Sequence, residues 1–142
     1  MGTILLIEDD IIAARMVIKI LSPKGHTIQH VATGLEGLQA ARDNPPELVL
    51  VDLGLPDLDG KVVALQLSHF LSAKSSAIVA FTAESGAKAR RLALAYGCQD
   101  FISKPIDTRV FPEQIAALLA TLTEKPESEK QLRDRPQVSA LD

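Results

Sequence analysis

Glu47-Leu-Val-Leu-Val-Asp-Leu53 is apolar at every position between its two acids, not at every second one. A strand has this pattern when helices cover both of its faces, which points to a parallel sheet. Ile4-Leu-Leu-Ile7 and Ala77-Ile-Val-Ala-Phe81 repeat the pattern on either side. Thr27-Ile-Gln-His-Val31 and Asp100-Phe-Ile-Ser103 are shorter and mixed, as strands nearer an edge would be. Between these runs lie segments of helical period: 11–21, 35–42, 61–72, 87–96 and 110–123. Gly25 and Gly97 stand where helix C-caps belong, and Asn44-Pro45-Pro46 stops the second helix. Five strands alternating with five helices predict a doubly wound α/β domain, a flavodoxin-like parallel sheet of order 2-1-3-4-5. Ligands bind such sheets beyond the carboxyl ends of the strands, here where strands 1 and 3 part.

The chain has 142 residues, 46% hydrophobic and 23% charged, enough for one domain with a core of its own. Aromatic residues make up 4%, so Leu, Ile, Val and Ala must build that core. A net charge of −3 argues against a chain whose task is to wrap nucleic acid. The single cysteine, Cys98, excludes a disulfide framework and fits a reducing compartment. The opening residues lack a cationic signal region, and Leu6 stands where a myristoylation signal needs Ser or Thr. With no apolar run near the roughly 18 residues of a membrane span, a cytoplasmic protein is expected. From Glu124 the texture changes to a stretch about half charged, with two prolines and few large apolar residues. Residues 1–123 are thus expected to form the domain and 124–142 a charged tail or linker. A short helix over 127–133 fits within it.

Strand 1 runs into Glu8-Asp9-Asp10, and strand 3 ends at Asp52. The switch-point rule gathers these acids at one rim. Each alone would serve as a loop cap or a solvated turn. Converging from separate strands, they repel one another unless a cation neutralises them. An all-oxygen set with no His or Cys nearby favours a hard divalent ion, and an incomplete shell finished by water suits Mg²⁺. Strand 4 brings Thr82 to the same rim and strand 5 brings Lys104. A hydroxyl, an ammonium and a metal are what a phosphoryl group needs.

Ile4-Leu-Leu-Ile-Glu-Asp-Asp10, Leu50-Val-Asp-Leu-Gly-Leu-Pro-Asp-Leu-Asp-Gly60, Phe81-Thr-Ala83 and Phe101-Ile-Ser-Lys-Pro105 appear in order and at proper spacing. Over about residues 2 to 123 the chain resembles the receiver domains of two-component response regulators, of the single-domain chemotaxis-regulator kind. The resemblance implies that Asp52 is the phosphoacceptor. Asp9 would ligate Mg²⁺ directly, Glu8 mostly through water, and Gly54 through its backbone carbonyl. Thr82 matches the switch hydroxyl, Lys104 the lysine that meets the phosphoryl group, and Phe101 the aromatic switch position. Gly54 and Glu84 occupy the two positions that tune dephosphorylation. Glycine at 54 departs from the family's usual side chain, and Phe101 from the more frequent tyrosine. The implied phosphodonor is a sensor histidine kinase or a histidine phosphotransfer protein. The implied output is a changed surface on the fourth helix, fifth strand and fifth helix, meeting a downstream protein or a second copy in a homodimer. No DNA or membrane partner is expected.

Asp10 falls outside the acidic pair as a loop acid. His26, His30 and His69 are expected away from the rim, and Cys98 is expected to be inert. An alternative is a small Mg²⁺-dependent aspartyl-phosphate phosphatase of the haloacid-dehalogenase type. That class wants Asp-x-Asp after its first strand, whereas here the nucleophile follows strand 3 and position 54 is glycine. An FMN carrier would need a Ser/Thr-rich phosphate loop after strand 1, which is absent.

Overall fold

The computed structural model describes residues 2–55, 57 and 59–124. The chain alternates strand and helix throughout: β1 (Thr3–Ile7), α1 (Ile11–Leu21), β2 (Thr27–Val31), α2 (Gly34–Asp43), β3 (Leu48–Asp52) and α3 (Gly60–Phe70). It continues with β4 (Ala77–Thr82), α4 (Gly86–Ala95), β5 (Asp100–Ser103) and α5 (Phe111–Ala120). All strand pairs are parallel and the order is β2-β1-β3-β4-β5, as the apolar runs predict. Every residue of β3 and β4 is buried, whereas the edge strand β2 is half exposed.

Because strand side chains alternate between faces, the sheet sorts its residues by parity into two cores. Ile4, Leu6, Leu48, Leu50, Val79, Phe81 and Ile102 pack against α1 and α5 through Val17, Leu21, Phe111 and Ile115. Leu5, Ile7, Val49, Val51, Ile78 and Ala80 pack on the opposite side, against Leu38 of α2, Val63 and Leu67 of α3 and Ala93 of α4.

Element ends follow local chemistry. Asp10 is the N-cap of α1, its carboxylate accepting the N–H groups of Ile12 (2.9 Å) and Ala13 (3.4 Å). Thr33 and Asp59 cap α2 and α3 in the same way. Gly25 (φ 91°) and Gly97 (φ 80°) take the left-handed conformation, as their capping positions require. One unpredicted 3₁₀ turn, Ser22–Lys24, stands between α1 and Gly25, with Pro23 in its first turn. Two helices stop short of their apolar patterns. α3 ends at Phe70 because Leu71 turns extended, and α5 ends at Ala120. Thr123 and Glu124 donate their N–H groups to the carbonyl of Lys74, which ties the end of the described chain to the α3–β4 loop. Apart from Glu124, the expected tail 124–142 and its short helix lie outside the described residues. No described helix is long and apolar enough to cross a membrane.

The start of α3 is pressed onto the end of β3. A Cβ on Gly60 would stand 2.0 Å from the carbonyl oxygen of Asp52 and 2.4 Å from the Cα of Leu53. At Gly54 a Cβ would meet nothing nearer than 3.7 Å. Gly60→Ala should therefore cost about 3 kcal/mol of stability, since backbone has to move to admit the methyl group. Gly54→Ala should stay within about 0.5 kcal/mol. Urea denaturation of both variants measures the contrast, and equal losses would contradict it.

Candidate functional site

Parity builds the site. Glu8 continues the series Ile4, Leu6; Asp52 continues Leu48, Leu50; Lys104 follows Ile102. The pairing runs on past the strand ends, since Glu8 N–H donates to the carbonyl of Val31 (3.0 Å) and Lys104 N–H to that of Thr82 (2.7 Å). All three side chains therefore rise on the α1/α5 side of the carboxyl-end rim. The ammonium of Lys104 lies 2.6 Å from Glu8 Oε1 and 3.3 Å from Asp52 Oδ2. Carboxylate oxygens of Glu8, Asp9 and Asp52 lie within 4.8 Å of one another. Glu8 is fully buried and Asp52 nearly so, whereas Asp9 is exposed.

The fixed bonds around these acids differ. Asp52 Oδ1 accepts the N–H of Gly54 at 2.9 Å, and Glu8 Oε2 accepts the N–H of Asp10 at 3.1 Å. Glu8 Oε1 is met by the Lys104 ammonium. Burial, and then the neighbouring Asp52, push the Glu8 carboxyl up to about 7, although Lys104 pulls it down. Burial also pushes Asp52 upward. The hydrogen bond shared with Glu8, the Gly54 N–H and Lys104 outweigh it and hold Asp52 below its ordinary value. Burial likewise disfavours the Lys104 ammonium, but the two carboxylates outweigh it and raise its titration. Asp52 is thus the acid of the buried pair that stays ionised.

The opposite parity carries a second group. Thr82, buried, follows Ile78 and Ala80 on the α4 side, and its Oγ1 accepts the N–H of Glu84 at 3.1 Å. Phe101 lies half-buried against the same core, with the guanidinium of Arg90 5.6 Å from its ring centre. Ser103, two residues on, donates its hydroxyl to the carbonyl of Glu84 at 2.8 Å. Glu84 itself forms an ion pair with Lys88 at 3.4 Å. Gly54 is exposed beside Asp52.

Every residue given a role at the site from the sequence lies at this rim or on the strands and loops just behind it. Asp10 is a helix cap and stands outside the acidic group. One expectation needs correction: His30 is not remote from the rim. Its Nε2 lies 2.7 Å from the carbonyl oxygen of Glu8, because β2 ends alongside β1 and the edge leaves that carbonyl open to a side chain. His26 is buried at the other end of the sheet, its Nδ1 without a hydrogen-bond partner among the described residues, and burial lowers its titration. Burial pushes the Cys98 thiol up to about 12, which keeps it unreactive at neutral pH. Sequence reasoning missed Asp57, whose two carboxylate oxygens accept the N–H groups of Gly34 (2.8 Å) and Leu35 (3.1 Å) at the start of α2. A bond spanning 23 residues leaves no local signal.

An acidic pocket closed by one lysine lies at the switch point of a five-stranded doubly wound sheet, where folds of this class bind their ligands. Residues 4–116 match the response regulator receiver domain, and the chain belongs to that family. It is 29% identical over 130 residues to the transcriptional regulatory protein KdpE of Mycobacterium tuberculosis, covering 92% of this chain and 56% of that protein. The chain therefore spans about half the length of that relative. Among solved structures, the signal receiver domain of a signal transduction histidine kinase from Syntrophus aciditrophicus superposes with a TM-score of 0.77 at 25% identity, covering 89% of this chain and 96% of that one. The receiver domain of the sensor histidine kinase PA1611 from Pseudomonas aeruginosa shares the fold at 24% identity (TM-score 0.74, 84% of this chain and 98% of that one). In that protein a magnesium ion is coordinated in the active-site cleft. Receiver domains are regulators of two-component signalling that accept phosphoryl groups from histidine kinases.

The two carboxyl shifts act on the fold in opposite senses. With its titration raised from 4.5 to about 7, Glu8 favours the fold fully below 4.5 and loses that contribution as pH rises through about 7. Asp52, lowered from 3.8, contributes above that value and loses its contribution as pH falls through its lowered one. Lys104→Met removes the cation facing Glu8 and leaves burial unopposed. The Glu8 midpoint, followed by carboxyl ¹³C NMR, should then move above about 7; an unchanged or lower midpoint would contradict this account.

Proposed function

We propose that this chain accepts a phosphoryl group on Asp52 from the phosphohistidine of a sensor histidine kinase or a histidine phosphotransfer protein, and so switches a protein-binding face. The observation that carries this is the ammonium of Lys104, 2.6 Å from Glu8 Oε1 and 3.3 Å from Asp52 Oδ2, closing a cluster of three carboxylates within 4.8 Å of one another. A carboxylate oxygen of Asp52 attacks phosphorus, the N–P bond to the donor imidazole breaks, and an acyl phosphate forms. Lys104 then exchanges its carboxylate contact for a phosphoryl oxygen.

The donor set suits Mg²⁺: three carboxylates within 4.8 Å, no nitrogen or sulfur among them, and one exposed acid facing solvent. Glu8, Asp9, Asp52 and the backbone carbonyl of Gly54 would hold it. Bound there, the ion supplies charge neutralisation for phosphoryl oxygens. The donor must bring its imidazole to this rim. A groove of about 310 Å³ beside it, lined by Ile12, Ala13, Met16, Pro105 and Ile106, offers an apolar seat. Ile12 is 74% exposed on that side of α1.

Two residues set how long the phosphorylated state lasts. Gly54 presents no side chain to screen Asp52 from water, and Glu84 sits at the mouth of the β4–α4 loop. On the output side, Thr82 and Ser103 both bind Glu84, so an inward movement of the Thr82 hydroxyl toward a phosphoryl oxygen would strain that loop. Phe101 stands next to the space thus vacated. The surface affected is the groove of about 430 Å³ bounded by Arg90, Phe101, Pro105, Asp107 and Gln114, which would meet a downstream protein or a second copy of the chain.

With Mg²⁺ and acetyl phosphate, the chain should gain one base-labile phosphoryl group, and Asp52→Asn should abolish it. Full phosphorylation of that variant would sink the assignment. Mg²⁺ should raise the unfolding temperature by mass action. Asp9→Ala should remove most of that rise. Asp10→Ala should keep it while losing about 1 kcal/mol of basal stability with the α1 cap. Equal loss of the Mg²⁺ response in both would show that the wrong acids have been paired.

A further inference from the structure

Lys104 leaves β5, whereas Asp52 ends β3, and β4 runs between them. Two strand spacings separate the outer pair, about 10 Å. To reach the carboxylates the lysine side chain has to lie across the end of β4. At that level, and on that face, β4 presents Phe81, which pairs in register with Asp52 on one side and with Ile102 on the other. The ring centre lies 4.8 Å from the Lys104 ammonium, inside the range where the negative face of an aromatic ring attracts a cation. Phe81 is 2% exposed and packed among Leu50, Val79 and Phe111, so its ring is fixed by the core. The ammonium has carboxylates at 2.6 and 3.3 Å, while the Phe81 ring offers it a cation-binding face without a further hydrogen-bond acceptor.

We infer that Phe81 is a positioning residue for phosphoryl transfer: its ring face holds the Lys104 ammonium over the phosphoacceptor rim. This rests on the proposal that Asp52 is phosphorylated. An aliphatic residue at position 81 could fill the same volume, but it could not attract the charge. When a phosphoryl group draws the ammonium away from Glu8, the ring still meets it, so the cation moves between polar partners over a constant support.

Fluorination withdraws charge from an aromatic face with little change of shape, so the test replaces Phe81 in the full chain by mono-, di- and trifluorinated phenylalanine. The rate of phosphorylation by acetyl phosphate with Mg²⁺ should fall stepwise, by about threefold across the series. In a Lys104→Ala background the same series should be flat. A flat series with Lys104 present, or an equal decline without it, would overturn the inference, because the ring would then act through packing alone. The contact has a readout independent of phosphorylation. The ring should shift the Cε protons of Lys104 upfield in NMR spectra, and Phe81→Leu should abolish that shift. If the unmodified chain takes up no phosphoryl group while the shift is present, the proposed reaction fails and the contact stands. If the shift is absent, the inference fails whatever the chain's reactivity.

Discussion

Carboxylates crowded at the ends of two adjacent parallel strands would drive each other toward protonation, and one ammonium keeps this cluster together. Lys104 arrives from β5, across β4, to meet Glu8 and Asp52. With Glu8 fully buried and the Lys104 ammonium 2.6 Å from its Oε1, the lysine is the counter-charge on which that buried acid depends. The asymmetry that results is chemically useful. Burial pushes the Glu8 carboxyl up to about 7, while Lys104 and the Gly54 N–H help hold Asp52 below its ordinary value. The strand order thus brings one cation across β4 to the acids at the rim.

Period-two alternation separates the rim residues into two groups. Glu8, Asp52 and Lys104 rise on the α1/α5 side, whereas Thr82, Phe101 and Ser103 point to the α4 side. Adjacent residues on one strand, Phe81 and Thr82, therefore belong to different tasks. Phe81 supports the lysine from within one core, and Thr82 holds the β4–α4 loop through Glu84 on the other. A single-residue slip of β4 would exchange the two.

Much of this was legible before any coordinates. The unbroken apolar runs of β3 and β4 marked strands buried on both faces, and the acids after β1 and β3 marked the switch point. Thr82, Lys104 and Phe101 could be placed because each sits at a strand end or within a short strand. Contacts with no local signature stayed hidden. His30 closes on the Glu8 carbonyl only because β2 lies beside β1, and the bond from Asp57 to α2 joins loops that the order 2-1-3 makes neighbours. The early end of α3 at Phe70 was equally invisible, since the apolar pattern continues into Leu71 although the backbone does not.

The tie between Asp57 and α2 also bears on how the chain is made. Thr33 satisfies the N–H of Glu36, but those of Gly34 and Leu35 wait for a carboxylate 23 and 22 residues downstream. During synthesis from the amino terminus, α2 and its Thr33 cap are complete in sequence well before the Asp57 carboxylate that completes the capping. The N–H groups of Gly34 and Leu35 find this partner only after β3 has emerged and paired with β1, which carries residue 57 into place. The second helix would thus consolidate together with the third strand, not with the second, and the earliest stable unit of this domain would have to reach past Asp52.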